Sequence, residues 1–253
     1  MIKIENLTMQ FKSELTREKQ VVLSNLNFEV QEGDCLAVLG ESGSGKSTLA
    51  RILVGLLKPT KGRYSFLDRH PYENRRDKKF LAGHISMVFQ DYNTSVNPRF
   101  TVAEIIGECL DILKRRDKRP MDKQEKIKEY LEAVGLNDDF LDRFPHQLSG
   151  GQLQRVCIAR AIAIQPKIIL FDEAISSLDA HTQVQIMDML REIRAKYNLT
   201  FLFITHDLTA VTYLCDKVMF LYNGNVEEII NVDDIANVQS DYAKKLIDVV
   251  IEI

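Results

Sequence analysis

The sequence predicts an α/β chain in which a mainly parallel sheet, covered on both faces, is interrupted by a helical insertion. Two observations carry this. Cys35–Leu39, Ile168–Phe171 and Thr200–Ile204 are short, continuous apolar runs, the pattern of strands buried on both faces, and they lie far enough apart for helical crossovers. Between the first run and the second, helix signals accumulate. Thr101-Val102-Ala103-Glu104 and Asp122-Lys123-Gln124-Glu125 have capping-box spacing, and Gly135 reads as a helix stop. The chain is therefore read as one domain over 1–253 with a helical subdomain inserted at approximately 91–164.

The elements follow in order. Ile2 to Gln10 and Leu26 to Gln31 alternate apolar and polar residues, as half-buried strands do. Glu32-Gly33-Asp34 is a turn into the first buried strand. Thr48 to Val54 has helical apolar spacing, and Ile85 to Phe89 is a short strand ending at Gln90. Lys114 to Arg119 is a charge run, read as a solvated loop between helices, with a phosphate-binding patch as the other reading. Ile168–Phe171 ends in Asp172-Glu173, and Thr200–Ile204 ends in Thr205-His206-Asp207. Functional groups at the carboxyl ends of parallel strands collect along one edge, the usual ligand side of such a sheet. Lys217 to Tyr222, Asn223-Gly224 and Asn225 to Ile230 form a hairpin pattern with an Asn-Gly turn, opening a C-terminal hairpin and tail over approximately 217–253.

Composition narrows the function classes. With 253 residues, 45% hydrophobic and 27% charged, the chain has the make-up of a globular protein with a substantial core. A net charge of −3 and a pI near 6.0 do not support a bulk nucleic-acid binder. No apolar stretch approaches the ~18–20 residues that span a bilayer, and Met1 to Glu5 does not resemble a signal peptide. The four cysteines (Cys35, Cys109, Cys157 and Cys215) are scattered without a C-x-x-C pair, which fits a reduced compartment rather than a disulfide framework or a metal site.

The most informative segment is Gly40-Glu41-Ser42-Gly43-Ser44-Gly45-Lys46-Ser47, a complete G-x-x-x-x-G-K-[ST] phosphate-binding loop between a strand and the helix that Thr48 continues. Its glycines allow a tight loop whose backbone N–H groups point at phosphate oxygens, and the helix N-terminus adds partial positive charge. Lys46 would reach the β- and γ-phosphates, and the Ser47 hydroxyl would bind Mg²⁺.

A second segment, Leu148-Ser149-Gly150-Gly151-Gln152, resembles the signature of ATP-binding-cassette ATPases. With Gln90, Asp172-Glu173, Ser177-Leu178-Asp179 and His206 in order, nearly the whole chain resembles the ATPase subunit of an ABC transporter. That resemblance implies a P-loop NTPase core with an antiparallel β subdomain and an inserted α-helical subdomain. It also implies ATP and Mg²⁺ as cofactors. Asp172, with Ser47 and Gln90, would hold Mg²⁺. Glu173 would orient or deprotonate the attacking water, with Gln90 and His206 as the other catalytic contacts and His206 on the γ-phosphate. Ser149, Gly150, Gly151, Gln152 and Asp179 would meet nucleotide held by a second subunit. Phe11 stands where the family has an aromatic that stacks on adenine, with core packing as the other reading. Ala174-Ile175 replaces the Pro-Thr common in the family; neither residue carries the chemistry, so activity is expected to survive.

The run Phe89 to Arg99 (FQDYNTSVNPR) resembles the oligopeptide, dipeptide and nickel importer branch, as does Asp241 to Ile247 near the end. The short tail is similar to nickel and opine–metallophore (staphylopine–metal) members, which implies metal-chelate uptake, with peptides as the alternative. The implied partners are a second ATPase subunit (identical or not), two transmembrane permease subunits and an extracytoplasmic solute-binding protein. Nucleic acid is not among them, and the implied location is the cytoplasmic face of the cell membrane. A cassette ATPase acting on DNA or ribosomes is the reading from another class. Such proteins carry a long coiled-coil insertion or two cassettes, and neither fits between Lys46 and Ser149.

Overall fold

The computed structural model describes residues 1–12, 19–118, 120–176 and 178–251; Ser177 and Arg119 lie outside the described residues. The chain forms two compact units, Met1–Ala82 with Thr200–Ile253, and Gly83–Leu199.

The first unit begins with β1 (Ile2–Lys12) and β2 (Lys19–Val30), an antiparallel pair. Ile2, Ile4, Leu7 and Met9 of β1 and Leu23, Leu26, Phe28 and Val30 of β2 are buried, so the sequence alternation places one face of each strand in a core. β2 starts at Lys19, earlier than Leu26, because pairing with β1 recruits Lys19 to Asn25, where alternation is weak. The turn at Glu32-Gly33 has Gly33 at φ 85° and leads into β3 (Cys35–Leu39), every residue of which is buried. The phosphate-loop segment connects β3 to α1 (Lys46–Leu53). The first unit continues with β4 (Lys61–Phe66) and most of α2 (Arg75–His84), whose last two residues open the second unit. β4 completes the antiparallel sheet in the order β2-β1-β4, with Ile2 opposite Phe66 and Ile4 opposite Tyr64. Fully burying side chains such as Leu7, Leu23 and Phe66 contributes roughly 1.5–3 kcal/mol each.

The second unit contains β5 (Ile85–Val88) and β6 (Ile168–Asp172) as a parallel pair. Between them lie α3 (Val102–Asp117), α4 (Lys123–Ala133) and α5 (Gly150–Ala163), which pack on one another; α6 (Ala180–Tyr197) follows β6. Local sequence sets the helix starts. Thr101 Oγ1 accepts from Glu104 N–H at 3.3 Å while Glu104 Oε2 accepts from Thr101 N–H at 2.8 Å. Asp122 Oδ1 accepts from Gln124 and Glu125 N–H, and Gly135 beyond α4 sits at φ 72°. Thr101→Ala removes a reciprocal cap and is expected to cost about 1 kcal/mol, read as a melting temperature lowered by about 2–4 °C.

Lys114 to Asp117 are not a loop: they form the last turn of α3, with Lys118 its left-handed cap at φ 54°. Cations at a helix C-terminus oppose its partial negative charge, which favours helix here over a solvated connection. Arg116 donates to the carbonyls of Gly83 and Ile164 and pairs with Asp117, so its guanidinium is engaged in structure.

The first unit resumes with β7 (Thr200–Thr205), α7 (Leu208–Leu214), β8 (Lys217–Tyr222), β9 (Asn225–Asn231) and α8 (Asp241–Ile251). β3 pairs in parallel with both β7 and β8, and β9 closes the edge antiparallel to β8. Asn223 (φ 46°) and Gly224 (φ 77°) both take the left-handed conformation that a two-residue hairpin turn of the right twist demands. Cys35 and Cys215, remote in sequence, bring their sulfurs to 3.2 Å as free thiols. Among the described residues no helix is long and apolar enough to cross a membrane.

Candidate functional site

The phosphate loop leaves the buried strand β3 and enters α1 through Gly45, at φ 106°. A side chain at Gly45 would also come within 2.6 Å of Leu23 Cδ2, so conformation and packing both require glycine. Gly40 answers to proximity instead: a Cβ there would lie 2.3 Å from the Leu221 carbonyl oxygen. Gly43 has φ 83°, and Glu41 and Ser42 are exposed. Ser44 N–H donates to Glu41 O at 3.2 Å, its carbonyl accepts from Gly224 N–H at 3.0 Å, and its buried hydroxyl has no partner among the described residues. Lys46, only 6% exposed, donates its ammonium to Gly40 O at 2.6 Å and Glu41 O at 2.8 Å. Ser47 is exposed at the start of α1, and Thr48 is half-buried behind it. An ammonium held in a loop of glycines, at a helix start, offers the positive charge and N–H donors that suit phosphate oxygens.

His206, exposed at the end of β7, lines a cavity of about 790 Å³ together with Gly40 and Glu41. Asp207 next to it caps α7, accepting from Thr209 N–H at 2.8 Å. Phe11, near the end of β1, is 40% exposed; it is therefore a surface ring and not core packing.

In the second unit, Asp172 and Glu173 end β6. Glu173 has φ +48°, a left-handed conformation that costs a non-glycine residue roughly 1–2 kcal/mol. Both the N–H and the hydroxyl of Ser176 donate to the Glu173 carbonyl (3.3 and 2.9 Å) and hold the turn. Gln90, just after β5, donates its amide to Glu173 Oε2 at 3.3 Å. Strain of this kind clusters at functional sites, and here it accompanies the carboxylate that the amide addresses. Ala174 and Ile175, which follow, are buried.

The signature segment begins α5. Ser149 is its N-cap: Ser149 Oγ accepts from Gln152 N–H at 3.3 Å, and Gln152 Oε1 accepts from Ser149 N–H at 2.9 Å. Ser149 remains exposed, with its hydroxyl hydrogen uncommitted to that cap. Two neighbours absent from the sequence argument press on the glycines. A Cβ at Gly150 would lie 2.7 Å from Tyr92 Oη, and one at Gly151 would lie 2.8 Å from Thr182 Cγ2. Thr182 is itself bound to Asp179, the exposed N-cap of α6, through N–H (3.0 Å) and hydroxyl (2.7 Å). These bonds, the Thr182 hydroxyl first, hold the Asp179 carboxyl below its ordinary value. Asp91 Oδ1 likewise accepts from Asn93 and Thr94 N–H, shaping the turn before Tyr92. The second unit thus joins Gln90 to Glu173, and the Tyr92 loop to the signature and to Asp179.

Ser47 offers a hydroxyl oxygen in the first unit, and Gln90 and Asp172 offer an amide and a carboxylate oxygen in the second; each is a hard donor of the kind that Mg²⁺ takes. Among the described residues no group of three or more His, Cys, Asp or Glu is arranged for a metal ion.

A family model described as ABC transporter matches residues 23–176. The metal-staphylopine import system ATP-binding protein of Staphylococcus aureus is 42% identical over 250 residues, 98% of each chain. The nickel import ATP-binding protein of Escherichia coli is 42% identical over 90% of this chain and 85% of its own. The oligopeptide transport ATP-binding protein OppF of Bacillus subtilis is 38% identical over 98% of this chain and 81% of its own. Among solved structures, a dimeric ATP-binding cassette in a post-hydrolysis state with ADP and Pi superposes with TM-score 0.79 at 31% identity, covering 92% of this chain and 99% of that one. A chain that folds its phosphate loop this way, matches the family model over more than half its length and keeps such identity from end to end belongs to the ABC-transporter ATP-binding cassettes.

Proposed function

We propose that this chain is the ATP-hydrolysing subunit of a membrane importer and that its transported solute is a metal chelate. The observation that carries the choice of solute is the 42% identity to the metal-staphylopine protein along 98% of both chains. A small-peptide importer is the second reading, supported by the oligopeptide relative at 38% identity over 98% of this chain.

In this reading Lys46 and the loop from Gly40 to Thr48 hold the phosphates, and Phe11 offers its exposed ring to the base. Ser47, Gln90 and Asp172 supply oxygens to Mg²⁺, which when bound neutralises charge on the phosphates. Glu173, positioned by Gln90, orients the attacking water and takes its proton, while His206 donates to the γ-phosphate. The exposed Ser149 hydroxyl, Gly150, Gly151, Gln152 and Asp179 face nucleotide in a second ATPase subunit, so hydrolysis requires a dimer. The Tyr92 to Arg99 surface docks one of two permease subunits on the cytoplasmic side of the membrane, and a solute-binding protein delivers the cargo. What supports this is the closeness of the loop to the signature, Tyr92 Oη lying 2.7 Å from where a Gly150 side chain would begin. Approximately 91–164 acts as the helical subdomain, and approximately 217–253 as a C-terminal hairpin and tail.

Deleting the gene and measuring cellular nickel, cobalt and zinc under metal limitation, beside growth on peptides, separates the two solutes. Metal contents are expected to fall with peptide growth intact. A peptide defect with normal metal uptake would reverse the assignment.

A further inference from the structure

The C-terminal helix reaches the phosphate loop. Tyr242, in the first turn of α8, accepts a hydrogen bond on its hydroxyl from Glu41 N–H at 3.0 Å. Its ring stacks on Tyr222 at the end of β8, with centroids 4.3 Å apart and planes inclined by 25°. The helix start is fastened independently. Glu228 on β9 accepts from Gln239 N–H (2.9 Å) and Ser240 N–H (2.9 Å), and Ser240 Oγ accepts from Ala243 N–H (3.0 Å). Ala243 and Ile247 are buried, and α8 lies on β8 and β9. Tyr242 is thus held by its ring and by its helix while its hydroxyl points at the loop. Burial pushes its phenol up and the Glu41 N–H draws it back down, so it stays a neutral hydroxyl at physiological pH.

The bonded amide belongs to the peptide between Gly40 and Glu41. The two carbonyls that receive the Lys46 ammonium, Gly40 O and Glu41 O, flank that amide. The same side of the loop meets Gly224 N–H through Ser44 O and the Leu221 carbonyl through the bare Gly40. We propose that Tyr242 is a positioning residue of the phosphate loop: through its hydroxyl, helix α8 fixes the Gly40–Glu41 peptide and so presents Lys46 to nucleotide. The C-terminal helix thereby sets nucleotide affinity. This rests on the reading of the Gly40–Ser47 loop as the nucleotide receptor.

The test uses the full chain and its assembled transporter. Tyr242→Phe keeps the ring stack and removes the hydroxyl. The dissociation constant for a fluorescent methylanthraniloyl-ATP with Mg²⁺ is expected to rise about three- to tenfold, the weight of one net hydrogen bond. In the transporter, KM for ATP should rise by the same factor while kcat changes less than twofold and the melting temperature falls by no more than about 2–4 °C, as for one lost hydrogen bond. Tyr242→Ala, which also loses the stack, should lower the affinity as well and the melting temperature further than Tyr242→Phe does. A Tyr242→Phe chain with wild-type affinity overturns the proposal, and an early-melting Tyr242→Ala beside it would show the ring to be packing only. Lys46→Ala in parallel separates the two readings. Wild-type binding there removes the receptor itself, whereas lost binding there with an unaffected Tyr242→Phe removes only the role of Tyr242.

Discussion

Lys46→Ala abolishes MgATP turnover in the assembled transporter and lowers nucleotide affinity at least about a hundredfold. The side chain is 6% exposed and its ammonium already bridges Gly40 O and Glu41 O, so it is preorganised where phosphates arrive. Each charge-assisted hydrogen bond to a phosphate oxygen contributes roughly 1.5–3 kcal/mol, and two such bonds account for the loss. Alanine also leaves the two carbonyls without their cation, so the loop relaxes and α1 loses its ordered entry. Equilibrium binding of nucleotide and phosphate release report the two effects separately. Unchanged ATPase activity in Lys46→Ala would end the phosphate-loop assignment.

Glu173→Gln has the next largest effect, and a different one. Size and most hydrogen bonding are kept while the negative charge and basicity are lost. Lys46 and Ser47 are untouched, so ATP still binds, but the chemical step slows by about 10²–10⁴-fold, the range of a positioned acid–base group. The amide of Gln90, 3.3 Å from Glu173 Oε2, then faces an amide in place of a carboxylate. ATP that is bound but not hydrolysed should hold two subunits together through Ser149 of one and Ser47 of the other. Size-exclusion chromatography with MgATP is expected to show a dimer for Glu173→Gln, alone or with its partner ATPase, that Ser149→Arg dissolves. Hydrolysis at the wild-type rate in the Glu173→Gln transporter would exclude Glu173 as the catalytic residue.

What is legible in the sequence is local. The loop from Gly40 to Ser47 is contiguous, and its strand-before, helix-after setting follows from apolar spacing on either side. Thr101 with Glu104 is a cap made within four residues, so its spacing alone announces it, whereas the cap between Ser149 and Gln152 emerges only in the structure. The buried strands β3, β6 and β7 were visible because strands covered on both faces must be apolar throughout. Other elements were hidden. β4 carries charge at Lys61 and Arg63 and alternates only at Tyr64 and Phe66, and it becomes a strand by pairing with β1. α2 reads RRDKKFLAGH and buries only Leu81, too little apolar spacing to announce a helix. The Lys114–Asp117 run looked like a loop because charge density outweighed its position at the end of a helix.

The sequence by itself determined the chemistry on offer: a phosphate loop, a carboxylate pair at a strand end, a glycine signature at a helix start and the family to which they belong. Each is a short pattern whose geometry follows from neighbouring residues. Tertiary structure alone decided which of these groups meet: Gln90 with Glu173, Tyr92 with Gly150, Thr182 with Gly151, and Tyr242 with Glu41. It also decided that Glu173 sits in a left-handed conformation and that Cys35 and Cys215 touch. These partners lie far apart along the chain. Closing such loops costs entropy that no local preference reveals and that burial of the shared core repays.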